Sequence, residues 1–147
     1  MKVIIAGSRH LRQYRLVGAA VASSGWTVSE VISGGASGID QLAIRWAREH
    51  EVPITVMPAD WRRWGPAAGP IRNRLMAERA DALIAVWDGF SRGTASMICL
   101  AERRGLPVHV CRTDLPRPTP AVLAEEFLAG GPSPARFHQL MIWAAAA

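Results

Sequence analysis

Three short segments of the sequence combine glycine with side chains that bind anions. Residues 7–9 read GSR, residues 33–40 read SGGASGID and residues 88–94 read DGFSRGT. Glycine lets a ligand approach backbone N–H groups closely, hydroxyl groups donate hydrogen bonds, and arginine binds phosphate through a forked guanidinium. If the three segments meet in space, their shared chemistry is that of phosphate capture.

The three segments follow runs that are typical of buried strands. Short apolar runs predict strands over residues 3–6, 28–32, 54–57, 82–87 and 107–111. Apolar residues at helical spacing predict helices over residues 13–24, 38–51, 71–79 and 95–104, with a loop over residues 58–70. This alternation predicts an α/β fold, a Rossmann-like doubly wound parallel sheet of about five strands in the order 3-2-1-4-5.

The predicted sheet brings the three segments to one edge. Ligands of open parallel sheets bind at the carboxyl ends of the strands, where the strand order reverses. In the predicted order this point lies between strands one and four, and the segments are the loops after strands one, two and four. Helices that start after such loops add unpaired N–H groups and a partial positive charge. We therefore expect an anion site at this edge.

Two of the segments also have a structural interpretation. Ser37 and Asp40 have the spacing of a capping box, with Asp in place of the usual Glu, and capping is the favoured role of Asp40. Ser91 or Thr94 can likewise cap the fourth helix. Helix capping therefore remains an alternative to ligand binding at both places.

The composition indicates one domain with a moderate preference for anions. The 147 residues are 50% hydrophobic and carry a net charge of +5, and the arginines are spread along the chain rather than gathered in a basic arm. Lys2 is the only lysine, so there is no Walker motif, and no GxGxxG follows the first strand. The histidines lack metal-ligand spacing, so no metal site is predicted. No apolar run is long enough for a membrane span, and we expect a cytoplasmic protein without a membrane partner.

The chain is expected to divide at a proline-rich segment. Residues 1–113 form the predicted nucleotide-ligand-binding domain, and residues 114–120 (DLPRPTP) form an extended linker. Short helices are predicted over residues 121–128 and 134–146, the second with an apolar stripe. We expect this tail, residues 114–147, to pack on the same domain or on a partner subunit, and we expect a homo-oligomer, with a dimer favoured.

Four ordered motifs resemble a known family. They are GSR, SGGASGIDQLAIRWA, the segment that runs from PADW to GPIRN, and ADALIAVWDGFSRGTASMI. Together they resemble the YspA-like (cpYpsA-related) branch of the SLOG superfamily, which also contains the DNA-processing protein DprA/Smf and the LOG phosphoribohydrolases. The resemblance covers residues 1–112. It implies a Rossmann-like domain whose glycine-rich loops bind nucleotides or nucleotide-derived ligands.

The resemblance to the LOG enzymes implies an alternative function, cleavage of the N-glycosidic bond of a nucleoside monophosphate. Arg72 matches an arginine of those enzymes, and Gly93 and Thr94 match the GT of their PGGxGTxxE motif. Met97 stands where that motif has its glutamate, and glycoside chemistry depends on a carboxylate. Asp88 is the nearest substitute. Arg72 and Asp88 are therefore the catalytic candidates, although contact with a ribose hydroxyl is the favoured role of Asp88.

The resemblance to DprA implies a third function, binding of single-stranded DNA. The GID at residues 38–40 is similar to a segment of that protein. Binding of single strands requires aromatic side chains that stack on bases. The candidates for stacking are Trp61, Trp64, Trp87 and Phe90. Trp61 and Trp64 could equally cover the pocket as a lid over a base.

The leading prediction is a protein that binds a nucleotide or a nucleotide-derived phosphate ligand. No other cofactor is assigned, and enzymatic activity is left open. One backbone cradle is expected in the second segment and another in the third, with the helix after GPAAGP pointing toward the phosphate or ribose. The predicted ligand-binding residues are Gly7, Ser8, Arg9, Gly34, Gly35, Ala36, Gly38, Arg72, Asn73, Asp88, Gly89, Ser91, Gly93 and Thr94.

Overall fold

The computed structural model describes residues 1–114, which contain a five-stranded parallel sheet in the order β3-β2-β1-β4-β5. The strands are β1 (Lys2–Gly7), β2 (Glu30–Ser33), β3 (Ile54–Val56), β4 (Ala82–Trp87) and β5 (Val108–Arg112). The helices are α1 (Arg15–Ser24), α2 (Ile39–Glu49), α3 (Trp61–Trp64), α4 (Ala68–Arg79) and α5 (Arg92–Arg103). The fold class and the strand order predicted from the sequence are both confirmed.

Helices cover both faces of the sheet, which explains why its central strands are continuous apolar runs. Val3 and Ile5 of β1 belong to one core with side chains of α1 and α2. Ile4 and Ala6, which point to the other face, belong to a second core with side chains of α4 and α5. This arrangement leaves the carboxyl ends of β1 and β4 adjacent, since Gly7 pairs with Val86 in the parallel ladder.

The segment predicted as a loop over residues 58–70 contains regular structure instead. It holds α3, a 3₁₀ turn (Gly65–Ala67) and the first turn of α4, which begins at Ala68 rather than at residue 71. Asp60 caps α3 by accepting a hydrogen bond from the backbone N–H of Arg63 at 3.1 Å. Gly69 and Pro70 indicated a loop, but proline is tolerated in the first turn of a helix because its missing N–H has no intrahelical partner there.

The predicted linker over residues 114–120 and the predicted tail helices lie outside the described residues, except for Asp114. Within residues 1–114, none of the helices combines the length and the apolar character that a membrane crossing requires.

Candidate functional site

Ser8 joins the loop after β1 to the loop after β4. Its side chain is fully buried, and its Oγ accepts a hydrogen bond from the backbone N–H of Asp88 at 3.0 Å. Its own backbone N–H donates to the carbonyl oxygen of Val86 at 3.1 Å. The structure therefore places the Ser8 hydroxyl between two loops, where it holds them together, rather than on the wall of the cleft described below.

Gly38 brings the loop after β2 against the loop after β1. Its φ is +76°, and a Cβ added there would lie 2.5 Å from the carbonyl oxygens of Ser8 and Arg9. Gly38 is the N-cap of α2, and no side chain caps this helix. The capping box expected from Ser37 and Asp40 is therefore absent, and Oδ2 of Asp40 instead accepts a hydrogen bond from the backbone N–H of Ala36 at 3.2 Å.

A small cleft of about 130 Å³ opens at the carboxyl ends of β1 and β4. The structure brings eight of the predicted residues onto its wall: Gly7, Arg9, Ala36, Arg72, Asn73, Ser91, Gly93 and Thr94. The predicted residues that do not line it are Ser8, Gly34, Gly35, Gly38, Asp88 and Gly89. Within residues 1–114, no three His, Cys, Asp or Glu side chains are grouped so that they could hold a metal ion.

Asp40 also lines this cleft, and the sequence interpretation as a capping residue missed it. Its side chain is only 5% exposed, and this burial raises the pKa of the carboxyl group to about 6. Backbone N–H groups of Ala36 and Gly7 and the nearby charges of Arg72 and Arg9 act in the opposite direction but do not cancel the effect. An aspartate directly after a glycine-rich loop was the available signal, but its burial depends on the tertiary fold.

Arg72 reaches from α4 to the loop after β2. Its Nη1 donates a hydrogen bond to the carbonyl oxygen of Gly34 at 2.5 Å, and its Nε donates to Oδ1 of Asn73 at 2.9 Å. A Cβ at Gly34 would overlap Nη1 of Arg72 and approach Oδ2 of Asp40 to 2.8 Å. Glycine at position 34 thus leaves the space in which the guanidinium packs against the backbone. Burial lowers the pKa of Arg72, and the charge of Asp40 partly opposes that shift.

The first turn of α5 forms another part of the cleft wall. Ser91 is its N-cap, and Oγ of Ser91 accepts hydrogen bonds from the backbone N–H of Thr94 at 3.4 Å and from Oγ1 of Thr94 at 3.0 Å. The capping role considered for Ser91 is therefore confirmed, while Ser91, Gly93 and Thr94 all line the cleft. A Cβ at Gly93 would meet nothing within 4 Å, so this position is open to a ligand.

Asp88 shapes the loop that precedes α5. Its Oδ1 accepts hydrogen bonds from the backbone N–H groups of Phe90 at 2.9 Å and Ser91 at 2.8 Å. These hydrogen bonds lower the pKa of Asp88. Met97, by contrast, is buried and lines the cleft, so the wall of the cleft carries a thioether at this position. The carboxylate on the cleft wall is that of Asp40, whereas that of Asp88 accepts hydrogen bonds from its own loop.

A second, wider groove of about 320 Å³ adjoins the cleft. Arg9, Ala36 and Arg72 line both spaces, so the two lie next to each other. The predicted residues Gly34 and Gly35 line the groove, and Trp61 forms part of its wall. The site therefore has a polar inner part beside α5 and an outer part beside α3.

Comparison with known proteins adds an independent line of evidence. The sequence model of the YspA, cpYpsA-related SLOG family matches residues 1–64. The chain is also similar to the Gene 61 protein of Mycobacterium phage D29, with 37% identity over 84 residues that cover 53% of this chain and 67% of the phage protein. The family match includes Arg9, in the loop after β1, and Asp40, in the first turn of α2, which both line the cleft. The chain belongs to the YspA, cpYpsA-related SLOG family.

Proposed function

We propose that this protein binds a nucleotide or a nucleotide-derived ligand, with a phosphate group in the cleft beside α5. The observation that carries the proposal is the meeting of Arg9 and Arg72 with the first turn of α5 in one cleft. Guanidinium groups bind phosphate through charge-assisted hydrogen bonds, and the N-terminus of a helix favours negative charge. Membership of a SLOG family supports a ligand related to nucleotides.

The charges and dimensions of the cleft favour one anionic group and an adjoining sugar. Arg9 and Arg72 bring two positive charges, and Asp40 brings one negative charge when it is ionised. An ionised carboxylate repels a phosphate but accepts hydrogen bonds from hydroxyl groups. We therefore assign the phosphate to the side of α5 and a ribose hydroxyl to Asp40. The cleft of about 130 Å³ is smaller than a typical pocket for a whole organic ligand, so the rest of the ligand extends into the groove.

Calorimetric titration of the wild type and of the Arg9→Ala variant with AMP, ADP-ribose and NAD tests this proposal. Arg9 is exposed and lines the cleft, so its loss is expected to weaken binding about 10-fold or more without unfolding the protein. Arg12→Ala is the matched control, because Arg12 lies in the same loop, is exposed and does not line the cleft. Equal losses in the two variants, or no binding of any ligand to the folded wild type, would contradict the proposal.

A second candidate function is hydrolysis of the N-glycosidic bond of a nucleoside monophosphate. It is favoured by the position of Asp40, a buried carboxylate on the same cleft wall as Met97. In this reaction the oxygen of water bonds to C1′, the bond between C1′ and the base nitrogen breaks, and the base leaves with a proton. Asp40 would orient the water or the sugar, and the two arginines would hold the phosphate.

Incubation with nucleoside monophosphates, followed by chromatography for the free base and for ribose 5-phosphate, tests this second function. Wild-type protein should release both products in equal amounts, and Asp40→Asn should abolish the release. Asp88→Asn is the control, because the carboxylate of Asp88 accepts hydrogen bonds from its own loop. If the folded wild type binds AMP but releases no base, the protein binds the nucleotide without hydrolysing it.

A further inference from the structure

The groove beside the cleft has a composition that differs from that of the cleft itself. Part of its wall is backbone and small side chains from Gly34 to Ser37, and another part is apolar, from Pro58, Ala59 and Trp61. Arg9 and Arg72 lie where the groove meets the cleft. We infer that this groove takes a planar aromatic ring stacked on Trp61, so that the ligand is a nucleoside phosphate and not a sugar phosphate. The inference rests on the proposed function, because the ring and the phosphate belong to one ligand.

Trp61 is held in place while much of its ring is exposed. Its side chain is 52% exposed, so a large part of the ring surface is available for contact with a ligand. The far end of the ring lies over Gly69, where an added Cβ would be 3.3 Å from Cη2. The cap of α3 by Asp60 and the contact with α4 limit the freedom of the ring. A ring that is ordered before binding loses little entropy when a base stacks on it.

Trp64 occupies the same short helix but has a different environment. It is 46% exposed, yet the guanidinium carbon of Arg63 lies 4.8 Å from the centre of its ring, so one face has a cationic partner. Trp64 does not line the groove, whereas Trp61 does, and residues 1–114 provide no comparable ring or cation partner for Trp61. The two tryptophans are therefore similar in exposure and in sequence context, but only Trp61 lines the groove.

The shared wall of the two spaces limits the chemical classes of ligand that can reach both of them. A ligand that fills them has an anionic group next to α5 and the two arginines, a hydroxyl-bearing linker near Asp40, and an apolar planar group next to Trp61. A nucleoside monophosphate has these three parts in this order. Stacking on tryptophan is tolerant of base identity, because every base has a π face. The groove therefore selects for the presence of a base more than for its type.

The test compares AMP, GMP and ribose 5-phosphate as ligands of the wild type and of Trp61→Ala, Trp61→Phe and Trp64→Ala, by calorimetry. We expect the wild type to bind AMP and GMP about 10-fold or more tightly than ribose 5-phosphate. Trp61→Ala should remove that difference while leaving the affinity for ribose 5-phosphate unchanged. Trp61→Phe should retain most of it, and Trp64→Ala should behave as the wild type does. Circular dichroism establishes that each variant is folded.

The possible failures separate this inference from the proposed function. If the wild type binds ribose 5-phosphate as tightly as AMP and GMP, the phosphate site exists but the base site is refuted. The same conclusion follows if Trp61→Ala and Trp64→Ala change AMP affinity equally. If the folded wild type binds none of the three ligands, the inference is overturned, and the titrations with ADP-ribose and NAD then decide whether the proposed function fails as well.

Discussion

Burial of the Asp40 carboxyl group lowers the stability of the folded domain at neutral pH, and a role in ligand binding would explain why such a group is present. Its carboxyl group is buried, and its pKa is raised to about 6, so the folded protein favours the protonated form. A group whose pKa is higher in the folded state contributes its full stability below the pKa of the unfolded chain, and that contribution is lost as the pH rises through the pKa of the folded state. At neutral pH the ionised carboxylate therefore destabilises the domain. Such positions are candidates for functional residues.

We expect Asp40→Asn to stabilise the protein more at pH 7.5 than at pH 4, because asparagine cannot ionise. From the shift between 3.8 and about 6, the effect on the free energy of unfolding should be about 2 kcal/mol larger at pH 7.5 than at pH 4, because at pH 4 the carboxyl group of the unfolded chain is already partly ionised. Urea denaturation of wild type and variant at several pH values measures it. A difference between wild type and variant that does not change with pH would refute this account of Asp40.

Asp88→Asn provides a control for which we expect the opposite effect on the free energy of unfolding at neutral pH. The backbone N–H groups of Ser91 and Phe90 lower the pKa of Asp88, so its contribution to stability is present above the pKa of the unfolded chain and is lost as the pH falls. The variant should therefore be less stable than the wild type at pH 7.5, and the gap should narrow toward acid pH. If both aspartate variants showed the same pH dependence, the different environments assigned to the two carboxyl groups would be wrong.

Gly34 controls the position of Arg72, which makes it a sensitive point for binding. A methyl group at position 34 would overlap the end of the Arg72 side chain, a flexible group that can move away at small cost to the fold. We expect Gly34→Ala to displace the guanidinium from the carbonyl oxygen of Gly34 and to weaken AMP binding about 10-fold, with a small change in stability. Calorimetry and thermal unfolding of the same sample measure the two effects. Unchanged affinity would mean that Arg72 does not contact the ligand.

At the scale of the elements, the contact between the loops after β1 and β2 depends on Gly38. A side chain there meets backbone carbonyl oxygens, which cannot move as a side-chain end does, and φ is +76°. We expect Gly38→Ala to lower the free energy of unfolding by about 2 kcal/mol or more. Gly25→Ala is the control, because Gly25 has a similar φ of +69° but no atom within 4 Å of the added Cβ. Equal losses in the two variants would show that the close packing at Gly38 has no energetic effect.

The elements were predictable where one local pattern determined them. The alternation of apolar strand runs with helical patterns predicted a parallel sheet covered on both faces, and the structure has the predicted strand order. The beginning of α4 was missed because Gly69 and Pro70 are typical of loops, and only the position of Pro70 in the first turn makes the helix possible. Local sequence does not distinguish a Gly-Pro pair in a loop from one in the first turn of a helix.

The sequence predicted where the site lies, but it predicted less well which residues line it. The loops after β1, β2 and β4 meet at one edge as expected, but Ser8 and Gly38 hold the loops together and Asp88 accepts hydrogen bonds from its own loop. The same residue types serve ligand binding and loop packing, because both use hydroxyl groups, carboxylates and positions without a Cβ. Burial decides between the two uses, and it also made Asp40 a cleft residue. Burial is a property of the assembled fold.

At the scale of the whole molecule, the distribution of charge favours a small ligand over a nucleic acid strand. Several basic side chains are paired with acidic ones across the surface: Lys2 with Glu30, Arg45 with Glu49, Arg104 with Glu78, and Arg112 with Asp114. Arg9 and Arg72 converge on the cleft instead. A strand of DNA needs a continuous basic groove, and the net charge of +5 is spread over the chain.

We therefore expect a labelled single-stranded oligonucleotide of about 20 bases to bind weakly at low salt and to dissociate at physiological salt, while AMP remains bound. The affinity of a strand that contacts several phosphates falls steeply with salt concentration, because each neutralised phosphate releases counterions, whereas a mononucleotide contributes only one phosphate. Fluorescence anisotropy for the oligonucleotide and calorimetry for AMP, across the same salt series, measure both slopes. Two results together would contradict this expectation: tighter binding of the oligonucleotide than of AMP at physiological salt, and displacement of the oligonucleotide by AMP from the wild type but not from Arg9→Ala. The cleft would then be part of a longer binding surface for nucleic acid. The exposed rings of Trp61 and Trp64 beside Arg62 and Arg63 would then be its next contacts.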